Sequence, residues 1–163
     1  MIRSDFTIAN LFEQDIKASY EEQGYFGRRL RDMVMKFGSG SPFDFLIFNG
    51  EILMGIEAKQ MSKRKSGNPK SISFNRISDT QREGLKNLNS FKNTLPLLAF
   101  NWRWCDNKKG ETYILTIDEF LDLEESLNRK SIPLSWFREN GYKIERKGTG
   151  WDLKKMFNKY KEV

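Results

Sequence analysis

An α/β sandwich, a β-sheet held between helices, is the fold class that this sequence of 163 residues predicts. Apolar residues at three- and four-residue spacing mark an amphipathic helix near the start. Two apolar runs meet at Asn49-Gly50, a strong hairpin signal. Two more strand-like runs, at 95–102 and 112–117, are interleaved with helical patterns. The length suits one compact domain spanning 1–163.

From residue 4 to about 23, Ala9, Phe12, Ile16 and Tyr20 form an apolar helical stripe, with Ser4 or Asp5 as N-cap and Gly24 as the stop. A basic excursion follows at about 24–42, carrying Arg28, Arg29 and Arg31 and ending in a Gly/Ser/Pro breaker. Residues 43–48 and 52–59 then make the hairpin at the centre of the sheet. A polar loop at about 60–71 bears Lys63, Arg64, Lys65 and Lys70 around Gly67 and Pro69, and its composition predicts mobility. Ile77, Leu85 and Leu88 fall on one helical stripe in which Gly84 is a weak spot. After the strands at 95–102 and 112–117 comes a helix capped by Asp118, a turn at 129–133, a short helix near 134–139, a GYKIE segment and a basic helix from Trp151.

Composition excludes whole classes of chemistry. The chain has no histidine, so it can build neither a Ser-His-Asp triad nor an imidazole zinc site. Its one cysteine, Cys105, permits no intrachain disulfide and fits a reducing cytoplasm. No run approaches the ~18 apolar residues of a membrane span, and the acid-bearing start does not read as a signal peptide, so a soluble protein with no membrane partner is expected. Lys plus Arg exceed Asp plus Glu by 28 to 22, a surplus of +6 that points mildly to a polyanionic partner.

If Asn49 and Gly50 are the two central residues of the turn, Phe48 faces Glu51, Leu46 faces Leu53 and Asp44 faces Gly55. Asp44, Glu57 and Lys59 then share one sheet face, while Ile52, Met54, Ile56 and Ala58 line an apolar face opposite. Asp44 and Glu57 become diagonal neighbours, about 7–8 Å apart at the backbone, with Gly55 leaving the space between them open. Two carboxylates without His or Cys suit Mg²⁺ or Mn²⁺, and a lysine beside such an ion can position water or stabilise charge on a phosphate. A salt bridge at a strand end is the competing reading. Asp44 weighs against it, because a carboxylate between Phe43 and Phe45 is costly to bury without a cation or hydrogen bonds. Gln81 interrupts the apolar stripe of its helix, as a structural hydrogen bond or as a site residue, and Glu13 lies at the margin of the first helix's buried stripe, where a solvated face is the simpler reading. The Lys63 to Lys70 cluster adjoins the acid-bearing face and suits phosphate contact, whereas Trp102 and Trp104 read as core and rim.

Together Pro42-Phe43-Asp44 and Glu57-Ala58-Lys59 resemble the two halves of the PD-(D/E)xK nuclease signature. FEQD at 12–15, ISFNRISDTQ at 72–81, RKSIP at 129–133 and the following NGYKI extend the resemblance, over nearly the whole chain, to RecU-type Holliday junction resolvases of Gram-positive bacteria and their phages. The resemblance implies a restriction-endonuclease-like core with a central mixed β-sheet flanked by helices. It also implies Mg²⁺, replaceable by Mn²⁺, on Asp44 and Glu57, with Lys59 acting on the water. Gln81 would support the site, and Glu13 would reach it as an outer or second-metal ligand. A homodimer would nick a four-way DNA junction symmetrically, its phosphates held by Arg28, Arg29, Arg31, Lys63, Arg64, Lys65 and Lys70. Thr80 stands where family members often carry His, and 24–42 is short for the family's stalk, with RRLR as its reduced equivalent. A repair or restriction-like endonuclease on duplex or flap DNA, and a non-catalytic DNA-binding recombination protein, are the rival expectations.

Overall fold

The computed structural model describes residues 11–30, 41–106 and 108–161. Within them, a six-stranded mixed sheet runs in the order β1-β2-β3-β5-β6-β8, built from β1 (Phe26–Arg29), β2 (Phe45–Phe48), β3 (Leu53–Met61), β5 (Thr94–Trp102), β6 (Glu111–Thr116) and β8 (Tyr142–Ile144). Among the described strands only β3 and β5 pair in parallel, and the chain between them carries β4 (Ser71–Ser73) and helix α2 (Asp79–Asn89). Such a parallel pair requires a long crossover, which the helix supplies.

Each sheet face has its own core. On one, α1 (Leu11–Gln23) and α5 (Leu153–Lys159) bring Phe12, Ile16, Tyr20, Met156 and Phe157 against Phe45, Ile47, Met54 and Ile56. On the other, α2, α3 (Ile117–Ser126) and α4 (Leu134–Asn140) bury Leu85, Phe120 and Phe137 against Leu98, Phe100 and Trp102. The expected sandwich is therefore present, with period-two alternation sorting β2 and β3 onto the expected faces.

The hairpin register departs from expectation by two residues: Leu46 pairs with Gly55 and Phe48 with Leu53. Asn49 is the cause. Its Oδ1 accepts from the N–H groups of Glu51 at 2.9 Å and Ile52 at 2.7 Å, which folds 49–52 into a four-residue loop. Gly50 takes the left-handed conformation at φ +99° while Asn49 does not, so the tight two-residue turn is not formed. Because the slip is even, no side chain changes face.

Other expectations need correction. The excursion at 24–42 contains the edge strand β1, antiparallel to β2; the breaker at 38–40, Arg31 and the caps Ser4 and Asp5 lie outside the described residues. The basic loop is shorter than 60–71, since Gln60 and Met61 continue β3 and Ser71 opens β4. RKSIP is more than a turn: Ser131–Pro133 is β7, antiparallel to β4. Thr116, not Asp118, caps α3, because its hydroxyl accepts from Glu119 N–H while Glu119 reaches back to Thr116 N–H. Trp102 is core, and Trp104 is a half-buried anchor whose Nε1 donates to Pro69 O at 2.9 Å.

Two glycines carry more than their helix or strand positions suggest. A Cβ at Gly55 would meet Leu88 at 2.4 Å, so this glycine admits Leu88 and Phe43 rather than keeping space for an ion. A Cβ at Gly84 would stand 2.3 Å from Pro42 Cβ and 2.8 Å from its carbonyl oxygen, so the supposed weak spot of α2 is where the helix seats the Pro42-Phe43-Asp44 segment. Gly84→Ala should lower stability by about 1–3 kcal/mol through overpacking, despite roughly 1 kcal/mol of improved helix propensity. Urea unfolding checks this; a raised midpoint would show that Pro42 yields freely.

Candidate active site

Asp44 sits just past the end of the β2–β3 ladder. Its N–H donates to Ile56 O at 2.9 Å and its carbonyl accepts from Leu30 N–H at 2.8 Å, which fixes its backbone between both neighbouring segments. The side chain then takes the place of a strand partner, as Oδ2 accepts from Ala58 N–H at 2.8 Å. Asp44 thus bonds to the residues on either side of Glu57, Ile56 through its N–H and Ala58 through its carboxylate, which sets the two acids beside each other. Both are buried, at 9% and 2% exposure.

The two oxygens of Glu57 differ. Oε1 receives Gln81 Nε2 at 2.8 Å and Lys59 Nζ at 3.2 Å. Oε2 is buried with no N–H or O–H of another residue donating to it, and the protonated Glu57 carboxyl shares a hydrogen bond with Asp44. Burial, and next the adjoining Asp44 charge, push the Glu57 carboxyl up to about 8 against the pull of the Lys59 ammonium.

Gln81 performs two tasks with one amide. Its Oε1 accepts from Ser78 N–H at 2.9 Å while its own N–H donates to Ser78 Oγ, closing a capping box at the start of α2. The structural and the site readings of Gln81 are thus one arrangement, in which the cap aims Nε2 at Glu57.

Glu13, Asp44, Glu57, Lys59, Gln60, Arg76 and Gln81 all line one polar cleft of about 230 Å³. It opens where α1 from one layer and α2 from the other meet the end of β3. Glu13 is there, but ion-paired to the half-buried Arg29 of β1. Arg28 points outward with its guanidinium 4.9 Å from the Phe26 ring centre. Lys63, Arg64, Lys65 and Lys70 are exposed on the loop after β3.

Among the described residues, no three His, Cys, Asp or Glu side chains cluster closely enough to enclose a metal ion. The donor set that does exist is Asp44 with Glu57, all oxygen, and Glu57 Oε2, to which no other residue donates, is the kind of atom a hard cation satisfies. By this measure the pair fits one oxygen-loving divalent ion whose remaining ligands are water or substrate.

Sequence reasoning missed three contributors. Gln60 accepts from Phe12 N–H at 2.9 Å and donates to Ser62 Oγ at 2.8 Å, holding the start of α1 at the cleft. A polar residue ending the Ile52 to Ala58 apolar alternation was its signal. Asp15 of FEQD is buried and binds Arg103 at 2.6 Å and Lys109 at 2.7 Å, a structural role. Arg76 had no signal in the periodicity.

In comparisons with known proteins, no family model matches the chain and no curated protein gives a significant match.

The raised Glu57 carboxyl has a consequence for stability. The folded protein keeps a proton that the unfolded chain releases near the ordinary value of 4.5. Its contribution is complete below that pH and is lost as pH rises to about 8. In chelator, wild-type stability should fall across this window by up to about 1.4 kcal/mol per pH unit, and Glu57→Gln should flatten the slope. Identical melting-temperature curves for the two proteins between about pH 5 and 8 would contradict it.

Proposed function

We propose that this chain is a Mg²⁺-dependent endodeoxyribonuclease of the PD-(D/E)xK type that cuts branched DNA, with the four-way junction as its substrate. The observation that carries the reading is the asymmetry of Glu57: Oε1 is held by Lys59 and Gln81, and Oε2 is left for a cation beside Asp44. A binding module gains nothing from two buried carboxylates near phosphates, since each opposes the ligand's charge. With a divalent ion on Asp44 and Glu57 the same carboxylates become an asset, for the ion supplies charge stabilisation at the phosphate oxygens and a more acidic water. Mn²⁺ would substitute.

The residues divide the work of phosphodiester hydrolysis. Water adds to phosphorus and gives up a proton to solvent, the bond from phosphorus to one sugar oxygen breaks, and the departing oxygen takes a proton from solvent. Lys59 presents its ammonium at the cleft to orient the water and offset developing negative charge. Gln81 holds Glu57 in the orientation that exposes Oε2. Glu13, engaged by Arg29, acts from the periphery of the cleft. Two nicks placed symmetrically across a junction call for a homodimer.

Support for a polyanionic substrate comes from charge. The loop after β3 begins three residues beyond Lys59 and carries Lys63, Arg64, Lys65 and Lys70, and its exit is fastened by Trp104 and by Leu134 N–H donating to Lys70 O at 2.8 Å. No helix among the described residues is long and apolar enough to cross a membrane. The reading places the chain in the cytoplasm.

Incubation with labelled four-way junction, flap and linear duplex tests the reading. Mg²⁺-dependent cutting of the junction into nicked duplexes is expected, and preference for linear duplex would favour a restriction-like enzyme instead. Asp44→Asn should lower cutting by about a thousandfold or more while junction binding persists; retained cleavage would refute the metal assignment. Gln81→Ala should cost about 10- to 100-fold in metal affinity or rate, as the loss of an outer partner does.

A further inference from the structure

Among the described residues of the cleft, the cation Arg76 has no part in this mechanism. Arg76 closes the short turn Phe74–Arg76 and faces the same space as Asp44, Glu57 and Lys59. Its backbone is tightly held. Arg82, itself bound bidentately to Glu124, donates to Phe74 O at 2.9 Å and to Ile77 O at 3.0 Å. Phe74 N–H donates to Lys130 O at 3.1 Å, and Ser73 Oγ accepts from Asn75 N–H at 3.2 Å.

The guanidinium is another matter. Arg29, Arg82, Arg103 and Arg138 each pair with a carboxylate. Arg76 makes no hydrogen bond or ion pair with any described residue, although acids line the cleft with it. Arg76 is exposed at the mouth of the cleft, and partial burial of its guanidinium, with the charge of Arg64 second, holds its pKa below the ordinary value. An anion in the cleft would meet this guanidinium beside the Lys59 ammonium. A rigid backbone carrying an uncommitted fork-shaped donor is what bidentate recognition of a phosphate requires.

We propose that Arg76 grips the phosphodiester entering the cleft, its guanidinium on two phosphate oxygens, with Arg64 reaching the same strand from the basic loop. The assignment rests on the nuclease reading above for its substrate, but its test does not need cleavage.

Binding of a fluorescent four-way junction is measured in EDTA against increasing NaCl for wild type, Arg76→Ala, Arg76→Lys and, as a charge control remote in kind, Lys86→Ala on the exposed side of α2. Arg76→Ala should weaken binding about tenfold and lower the log–log salt slope by about one. Arg76→Lys should keep the slope yet recover only part of the affinity, since an ammonium cannot fork. Lys86→Ala should resemble wild type. Unchanged affinity and slope in Arg76→Ala, or full recovery in Arg76→Lys, overturns the assignment even if the wild type cuts DNA. If the wild type fails to cut with Mg²⁺ while Arg76→Ala shows these losses, the phosphate grip stands and the nuclease reading falls. A wild type that binds no DNA overturns both.

Discussion

Two carboxylates held side by side out of water repel each other and forgo hydration, and much of the architecture around β3 exists to offset that cost. Asp44 leaves the ladder so that its carboxylate can take Ala58 N–H. Gln81 and Lys59 converge on one oxygen of Glu57. Gly84 lets α2 approach Pro42, which brings the cap of that helix within reach of Glu57. What remains after these contacts is one buried oxygen with no donor and a carboxyl that prefers to keep its proton. The proton is what offsets the second negative charge in this pair.

The remainder of the molecule keeps the walls of the cleft in place. On the α1 side, Gln60 holds the helix start and Gln23 holds its end, accepting from Leu153 N–H at 3.0 Å and donating to Trp151 O at 2.7 Å. Ser19, fully buried, accepts from Trp151 N–H at 2.7 Å. Asp15 ties the same helix to Arg103 and Lys109, in the connection between β5 and β6. On the opposite side, β4 and β7 pair, Ile132 is buried, and Arg82 clamps the turn that carries Arg76. Helices from two layers thus meet at one end of β3 with few degrees of freedom, as a preorganised site demands. RKSIP and NGYKI, which carried the family resemblance, serve here as strands, one beneath the basic loop's exit and one at the edge of the main sheet.

Legibility followed periodicity. The helix containing Phe12, Ile16 and Tyr20, the apolar face of β3 and the shared face of Asp44, Glu57 and Lys59 all come from repeats of 3.6 or 2, which survive small errors of register. Gln81 was visible as a polar break in an apolar stripe. The edge strand Phe26–Arg29 was not, because FGRR has neither alternation nor β-branched residues and is a strand only by pairing with β2. Gly55 and Gly84 were misread for a related reason: a sequence shows what a glycine lacks, not which neighbour occupies the vacated space.

By itself, then, the sequence determined the layers, the faces and the chemical character of the site, since composition and local period set which side chains must be buried and which carboxylates share a face. The tertiary structure decided distances and partners. A side-chain cap by Asn49 shifted the hairpin register by two, an Arg29 pair claimed Glu13, and a clamp by Arg82 holds the turn that carries Arg76. Each joins residues far apart in the chain or turns on a loop's exact length, and no repeat along the sequence encodes either.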